Sequence, residues 1–337
     1  MRPADIAMIR HILPDEVDFT CFPDRQSPWI LAQAMPAEAR VSLIRQAGWG
    51  AFLDRPLVTP VVARCGGLLV QRDLLAVAYA GRARSFGDLS NGARDALETV
   101  YSGTWDTYPV TFTTWGDVCW WREAQISRKG GNLVLQLGFP AGHGRVFAET
   151  VGTGSRKEFE VFGHPVRKDG RPTLAWVRLD IDLESGTALI EEIQSDWLRC
   201  VSWRIRSLER RGGQSRQLRA LRRYQREIVA VHSKNWAETA LLAALMLLVE
   251  EFAVRQIWMH RPEVGAALKG IIGALPPWSL YSKLPKSFGF RPTGEIPPFL
   301  SDPIRKRALR RFIRGGKPLF WRLDLRAMSG GTPASPC

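Results

Sequence analysis

A strand-like stretch of the chain runs directly into a dense set of polar side chains. Residues Thr187–Trp197 read TALIEEIQSDW, so apolar positions are followed by three carboxylates, an amide and a hydroxyl. Adjacent side chains of a strand point to opposite faces, so either Glu191 or Glu192 faces inward. An inward carboxylate is costly unless it is paired or takes part in chemistry. The alternative is a solvated strand end in which Asp196 caps the following helix.

The composition favours a folded protein with a polyanionic partner. Of 337 residues 45% are hydrophobic, enough for a sizeable core, and the net charge is +14. This charge favours nucleic acid, an anionic membrane surface or an acidic protein as partner, although a high-GC genome also inflates arginine. Five scattered cysteines without a C-x-x-C pair argue against a disulfide framework or a zinc site. Without a signal peptide or a bilayer-spanning run, we expect a cytoplasmic protein with no transmembrane segment.

A basic helical hairpin is predicted over residues 198–231. Apolar residues recur at spacings of three and four on both sides of a break at 211–215. Eleven Arg or Lys but only two Glu lie between Leu198 and Lys234. We therefore expect Arg210 and Arg211 to contact an anionic substrate such as nucleic acid, with a solvated Arg-rich face as the alternative.

The order of elements predicts an α+β fold. Residues 174–183 and 187–193 form a predicted hairpin, whose first strand alternates and is expected to have one buried face. Helices and further strands follow, which predicts a mixed, mostly antiparallel sheet flanked by helices. Residues 1–104 are expected to form a mixed helical and strand region, 105–325 the main α+β domain, and 326–337 a disordered tail.

Four tryptophans fall near the first strands of the main domain. They form either a stacking surface for bases or, as we favour, a Trp-filled core under a small sheet: Trp105, Trp115, Trp120 and Trp121.

The C-terminal half resembles the GNAT acyltransferase fold. Residues 281–293, YSKLPKSFGFRPT, are similar to a Y-x-K-x-G-F-type turn of that family with three extra residues, and residues 187–194 correspond to its core strand. The resemblance implies acetyl-CoA or another acyl-CoA as cofactor, a core strand that splays from its neighbour, and a helix N-terminus that binds the pyrophosphate. A capping box at Asn235 marks the expected helix start. The cofactor site would comprise Ser233, Lys234, Asn235 and Trp236.

The same resemblance implies an N-acyltransferase, and the basic hairpin predicts an anionic macromolecule as its substrate. Glu192 is the expected base, with Glu191 as alternate, and Tyr281 matches the family's Tyr that protonates the leaving thiolate. A backbone N–H of the core strand would polarise the thioester carbonyl. The residues expected to orient the acceptor are Gln194, Ser195, Asp196 and Trp197.

Other side chains offer alternative chemistry. His164 and His232 are candidate acid–base groups in place of the glutamates. A divalent metal is a further alternative, with Asp180, Asp182 and Glu192 as oxygen ligands.

The letters E-I-Q-S-D-W, residues 192–197, resemble a domain of large polyvalent proteins of phages and conjugative elements. His164 and the Trp176–Arg178 segment precede the motif, as in that family. The resemblance itself implies no activity, and the basic charge of the chain provides the alternative function, a non-catalytic nucleic-acid-binding protein of a phage or mobile element. Its contacts would come from the basic segments 199–226 and 305–314.

Overall fold

An eight-stranded mixed sheet organises the molecule. The computed structural model describes residues 1–81, 88–116, 125–152, 158–161, 163–167, 169–212, 215–271, 277–326 and 328. The strands are β1 (Glu16–Cys21), β2 (Glu38–Arg40), β3 (Leu68–Val70), β4 (Asp106–Trp115), β5 (Asn132–Gly138), β6 (Thr173–Asp182), β7 (Thr187–Gln194), β8 (Gln256–His260), β9 (Arg291–Thr293) and β10 (Phe320–Asp324).

The strand order of the large sheet is β1-β4-β5-β6-β7-β8-β10-β9, while β2 and β3 pair separately. Its neighbours are antiparallel except β7 and β8, which run parallel because helices connect them. The predicted α+β class with a mixed, mostly antiparallel sheet flanked by helices is confirmed.

The helices cover both faces of this sheet. They are α1 (Pro3–Ile12), α2 (Gln26–Ala34), α3 (Val41–Gln46), α4 (Gly50–Leu53), α5 (Thr59–Arg64), α6 (Gln71–Ala78), α7 (Asn91–Tyr101), α8 (His143–Thr150), α9 (Asp196–Arg210), α10 (Arg216–Tyr224), α11 (Ala230–Met246), α12 (Pro262–Lys269), α13 (Lys283–Ser287) and α14 (Pro303–Arg314). α9 and α11 pack on β6 over the main core, and α12 and α14 contribute to a smaller core around Leu189 and Trp258. No helix within the described ranges is both long and apolar enough to cross a bilayer.

Burial on both faces overturns the one-sided prediction for β6. Its polar residues Arg178 and Asp180 are 2% and 0% exposed. Each is paired, because an isolated charge inside a protein is costly. Arg178 bonds Glu192 at 2.5 Å, and Asp180 bonds Arg128 at 2.7 Å.

The helix start expected at Asn235 is wrong. A π-helical segment, Gln225–Val229, joins α10 to α11 without a break, and Asn235 lies inside α11. Its backbone N–H belongs to the helical hydrogen-bond ladder, so residues 232–235 present no free N–H groups to an anion. The basic hairpin of α9 and α10 does form, but its second arm continues past residue 231.

Residues on both sides of the expected boundary at 104 share the large sheet, since β1 pairs with β4. Trp105 contacts Phe22 in a tilted arrangement with ring centroids 5.6 Å apart, and Trp115 lies against the Arg178 guanidinium. Trp120, Trp121 and almost all of the tail 326–337 lie outside the described residues.

Candidate functional site

The parallel strands β7 and β8 separate part-way along their length. They pair from Thr187 to Ile190, after which β7 continues to Gln194 paired with β6 but not with β8. A bulge on the opposite side of β7 leaves Glu191 out of register with β6. The edge of β7 that faced β8 is therefore open at residues 191–193.

Two side chains occupy the backbone groups of this open edge. Lys269 Nζ donates to the Glu191 carbonyl at 2.6 Å, and the Ile193 N–H donates to the Tyr281 hydroxyl at 3.2 Å. Without these partners both groups would be unpaired. A strand edge can pair with an extended chain that carries amides, and at this edge the backbone groups are covered by Lys269 and Tyr281.

A cavity of about 710 Å³ opens beside this edge. It brings together elements far apart in the chain, namely the end of β7, the start of α9, the middle of α11, α12 and the turn before α13. Its polar or aromatic lining residues include Gln125, His164, Glu191, Glu192, Gln194, Ser195, Arg199, Ser233, Trp236, His260, Arg261, Lys269 and Tyr281. Of the expected cofactor residues Ser233 and Trp236 line it, whereas Lys234 and Asn235 are not among its described lining residues.

Glu191 is the inward-facing carboxylate, and it is fully buried. Ser127 donates its backbone N–H and its hydroxyl to this carboxylate, each at 2.9 Å, and His260 Nε2 lies 2.9 Å from the same hydroxyl. Burial and the charge of Lys269 hold the pKa of His260 well below its usual value, so the imidazole is neutral. Glu191 thus anchors β7 within a closed network and is poorly placed as the alternate base.

Glu192 faces the cavity as a carboxylate held by two cations. Its partners are Arg178 at 2.5 Å and Lys269 at 3.7 Å. Burial tends to raise the pKa of Glu192, but the charges of Lys269 and Arg178 outweigh burial and lower it. A carboxylate stabilised in this way accepts a proton poorly at neutral pH, which disfavours Glu192 as the base.

His164 and Asp196 form a hydrogen-bonded pair at the cavity wall. His164 Nδ1 lies 2.8 Å from Asp196 Oδ2, and 32% of the imidazole side chain is exposed. Asp196 is almost wholly buried and also accepts hydrogen bonds from Trp176 at 3.0 Å, Arg199 at 2.6 Å and Gln194. Burial tends to raise the pKa of Asp196, but the hydrogen bonds from His164, Trp176 and Gln194 outweigh it and lower the pKa, which keeps this carboxylate ionised.

The carboxylate of Asp196 orients the imidazole through Nδ1. When Nδ1 carries a proton and donates it to this carboxylate, the lone pair lies on Nε2 of His164. A histidine oriented by a carboxylate in this manner is suited to act as a general base.

Tyr281 is the candidate acid of the cavity. The side chain is buried, and burial together with the negative charge of Glu192 raises the pKa of its hydroxyl. The phenol is therefore protonated, and because its oxygen accepts from Ile193, its own proton remains available to a ligand.

Ser195 and Trp197, which were also expected to orient the acceptor, have different positions at the start of α9. Ser195 is the N-cap, since its hydroxyl accepts from the Leu198 N–H at 3.3 Å and donates to the Leu174 carbonyl at 2.6 Å. Trp197 is 0% exposed and its indole N–H donates to Tyr224 at 2.8 Å, so its expected contact with substrate is wrong. The first turn of α9 thus serves both the cavity and the core.

Arg210 and Arg211 lie at the other end of α9. At about 1.5 Å per residue, Arg210 is about 16 Å along the helix from Arg199, the last residue of α9 that lines the cavity. The two arginines therefore do not touch a small molecule bound at the splayed strands.

The metal alternative is not supported by the positions of its ligands. Asp180 and Asp182 pair with Arg128, whereas Glu192 pairs with Arg178 and Lys269. In the part of the chain that the structure describes, no group of three or more His, Cys, Asp or Glu could hold a metal ion.

Ser127, His260 and Lys269 were not singled out from the sequence. Lys269 precedes Gly270, which ends α12 in the left-handed conformation, and a lysine there is typical of a helix C-terminus. The remaining signal in the sequence is that Lys269 and Glu263 are the two charged residues of this helix, PEVGAALK.

No family model, curated protein or solved structure matches this chain. A fold by itself does not determine a function, so the chemistry follows from the side chains of the cavity. They supply an open strand edge, an oriented imidazole, a protonated phenol and several cations, which together suit transfer of a group between two bound molecules.

Proposed function

We propose that this protein is an N-acyltransferase that moves an acyl group from acyl-CoA to an amine. The observation that carries the proposal is the separation of β7 from β8 after Ile190, which opens a strand edge into a cavity with an oriented imidazole and a protonated phenol. A single parallel pair that splays within an antiparallel sheet also supports the resemblance to the GNAT fold.

The open strand edge suits the pantetheine arm of CoA, which carries two amides. In this proposal the arm displaces Lys269 and Tyr281 from the Glu191 carbonyl and the Ile193 N–H. The Ile193 N–H is then free to polarise the thioester carbonyl. Arg199 and Arg261 line the cavity and provide the positive charge that was expected from residues 233–236.

The side chains of the cavity supply the proton transfers. His164 Nε2 takes the proton of the acceptor amine as its nitrogen forms a bond to the carbonyl carbon. As the carbon–sulfur bond breaks, the Tyr281 hydroxyl gives its proton to the sulfur. Glu192 remains charged and attracts an acceptor that arrives as an ammonium and releases one proton to solvent before its nitrogen attacks.

Isothermal titration with acetyl-CoA tests the proposal, and a variant that fills the cavity makes the test specific. Ala266 lines the cavity on α12, whereas Ala308 is exposed on α14. We expect saturable binding to the wild type, binding at least about tenfold weaker for Ala266→Trp, and no change for the matched Ala308→Trp control. Absence of heat and of a thermal shift with the wild-type protein, or equal binding by Ala266→Trp, would overturn the proposal.

A further inference from the structure

The helix α9 carries a basic and aromatic stripe that begins at the cavity. Its members, defined here as the α9 stripe, are Arg199, Trp203, Arg206 and Arg210. Spacings of four, three and four place them on one face of a helix. The stripe is about 16 Å long, at about 1.5 Å per residue.

The cations of the stripe are largely available to a ligand. Arg206 and Arg210 are exposed, and neither has an acidic partner among the ion pairs of the described residues. Arg199 is 55% exposed while it bonds Asp196. The nearby acid Glu209 is neutralised by Arg222 at 2.8 Å. The face therefore presents net positive charge.

Trp203 is 55% exposed in the middle of these cations. A large exposed aromatic ring is unusual on a helix whose other apolar residues are buried, and here Val201 and Ile205 point into the core. A second exposed Trp, Trp278, directly follows Pro277, which lines the cavity. Flat rings flanked by arginines offer stacking platforms for unpaired bases, with cations for the phosphates.

We infer that the α9 stripe binds a single-stranded nucleic acid and leads it to the cavity. Arg199 belongs both to the stripe and to the cavity lining, so the binding surface is continuous with the site. Unpaired bases can stack on Trp203, whereas the bases of a duplex are already stacked on one another. Delivery of an acceptor amine by this strand rests on the proposed acyl transfer, but binding by the stripe does not.

The stripe does not fit a membrane surface. A helix that lies on a bilayer needs a broad exposed apolar face. The apolar residues Trp197, Val201 and Ile205 of α9 face the core, which leaves one ring on the outer face.

Fluorescence anisotropy with labelled oligonucleotides of about 12 nucleotides tests the inference. Single-stranded DNA, single-stranded RNA and duplex DNA are compared at several salt concentrations. We expect both single strands to bind more tightly than duplex, and Trp203→Ala to weaken single-strand binding about 5- to 150-fold. An Arg206→Gln/Arg210→Gln variant should reduce the salt slope by about 1.4, while the matched Arg307→Gln/Arg310→Gln change on α14 should not.

Several outcomes would overturn the inference. One is an equal reduction of the salt slope in the two double variants. The others are tighter binding to duplex DNA than to single strands, and an unchanged single-strand affinity in Trp203→Ala. Sedimentation with phosphatidylserine vesicles that depends on Trp203 would assign the stripe to a membrane instead. Because these measurements need no acetyl-CoA, failure of the acyl-CoA titration with intact oligonucleotide binding would reject the acyl transfer alone.

Discussion

A His164→Gln variant is expected to lose about 10²- to 10⁴-fold in the rate of acyl transfer. Glutamine keeps a polar group of similar size beside Asp196 but has no basic nitrogen to replace Nε2. The rate is followed as release of the CoA thiol from acetyl-CoA, with propylamine at high concentration as a stand-in acceptor. The affinity for acetyl-CoA should not change, because the lost group acts on the amine.

The matched variant Glu192→Gln separates the two candidate bases. Since Arg178 and Lys269 hold Glu192 in its ionised form, we expect its loss to affect acceptor binding, seen in KM, more than the limiting rate. A Glu192→Gln variant that loses more of kcat than His164→Gln would show that Glu192, as first expected from the sequence, is the base.

A Lys269→Met variant is expected to lose about 3–5 kcal/mol of unfolding free energy. Lys269 Nζ lies 3.6 Å from Glu191 and 3.7 Å from Glu192, and the lysine side chain is 5% exposed. Its removal leaves neighbouring carboxylates in the interior without this cation and frees the Glu191 carbonyl. Urea unfolding measures the loss, and Lys306→Met on the exposed face of α14 is the control.

The pH dependence of the same variant identifies the cause. Without Lys269 the burial of Glu192 is opposed by less positive charge, so its folded-state pKa should rise above the unfolded value. The variant should then gain stability as the pH falls and this carboxyl group becomes protonated. The gap to wild type should therefore narrow from pH 7 towards pH 5. A loss below about 1 kcal/mol, or a gap that does not depend on pH, would contradict the account of Lys269 as the counter-ion of β7.

The local parts of the site follow from the sequence because they depend on neighbouring residues. The β6–β7 hairpin is specified by alternation and by the turn at Gly186, whose φ is +61°. The polar segment that follows does enter a cavity with Tyr281. The contact between α12 and β7 does not follow from local sequence. Lys269 donates to the Glu191 carbonyl although the two residues lie far apart in the chain.

The predictions for Asn235, Trp197 and β6 are wrong because each depends on residues outside the local segment. The sequence at Asn235 does match a capping box. The segment before it is also helical, so the helix continues through Asn235 instead of starting there. Its position at the end of the polar motif predicts a substrate contact for Trp197. The helical period turns it instead towards Phe147, Phe159 and Tyr224 in the core. Two-sided burial of β6 depends on helices distant in the chain.

Hydrogen exchange at the Ile193 amide, measured with and without acetyl-CoA, tests the central claim most directly. In a Tyr281→Phe variant this N–H loses its side-chain acceptor and should exchange faster than in the wild type. If the open edge of β7 binds the acyl-CoA arm, saturating acetyl-CoA should slow the exchange again in that variant. Unchanged exchange at Ile193 under conditions where acetyl-CoA is bound would contradict the claim and place the ligand elsewhere.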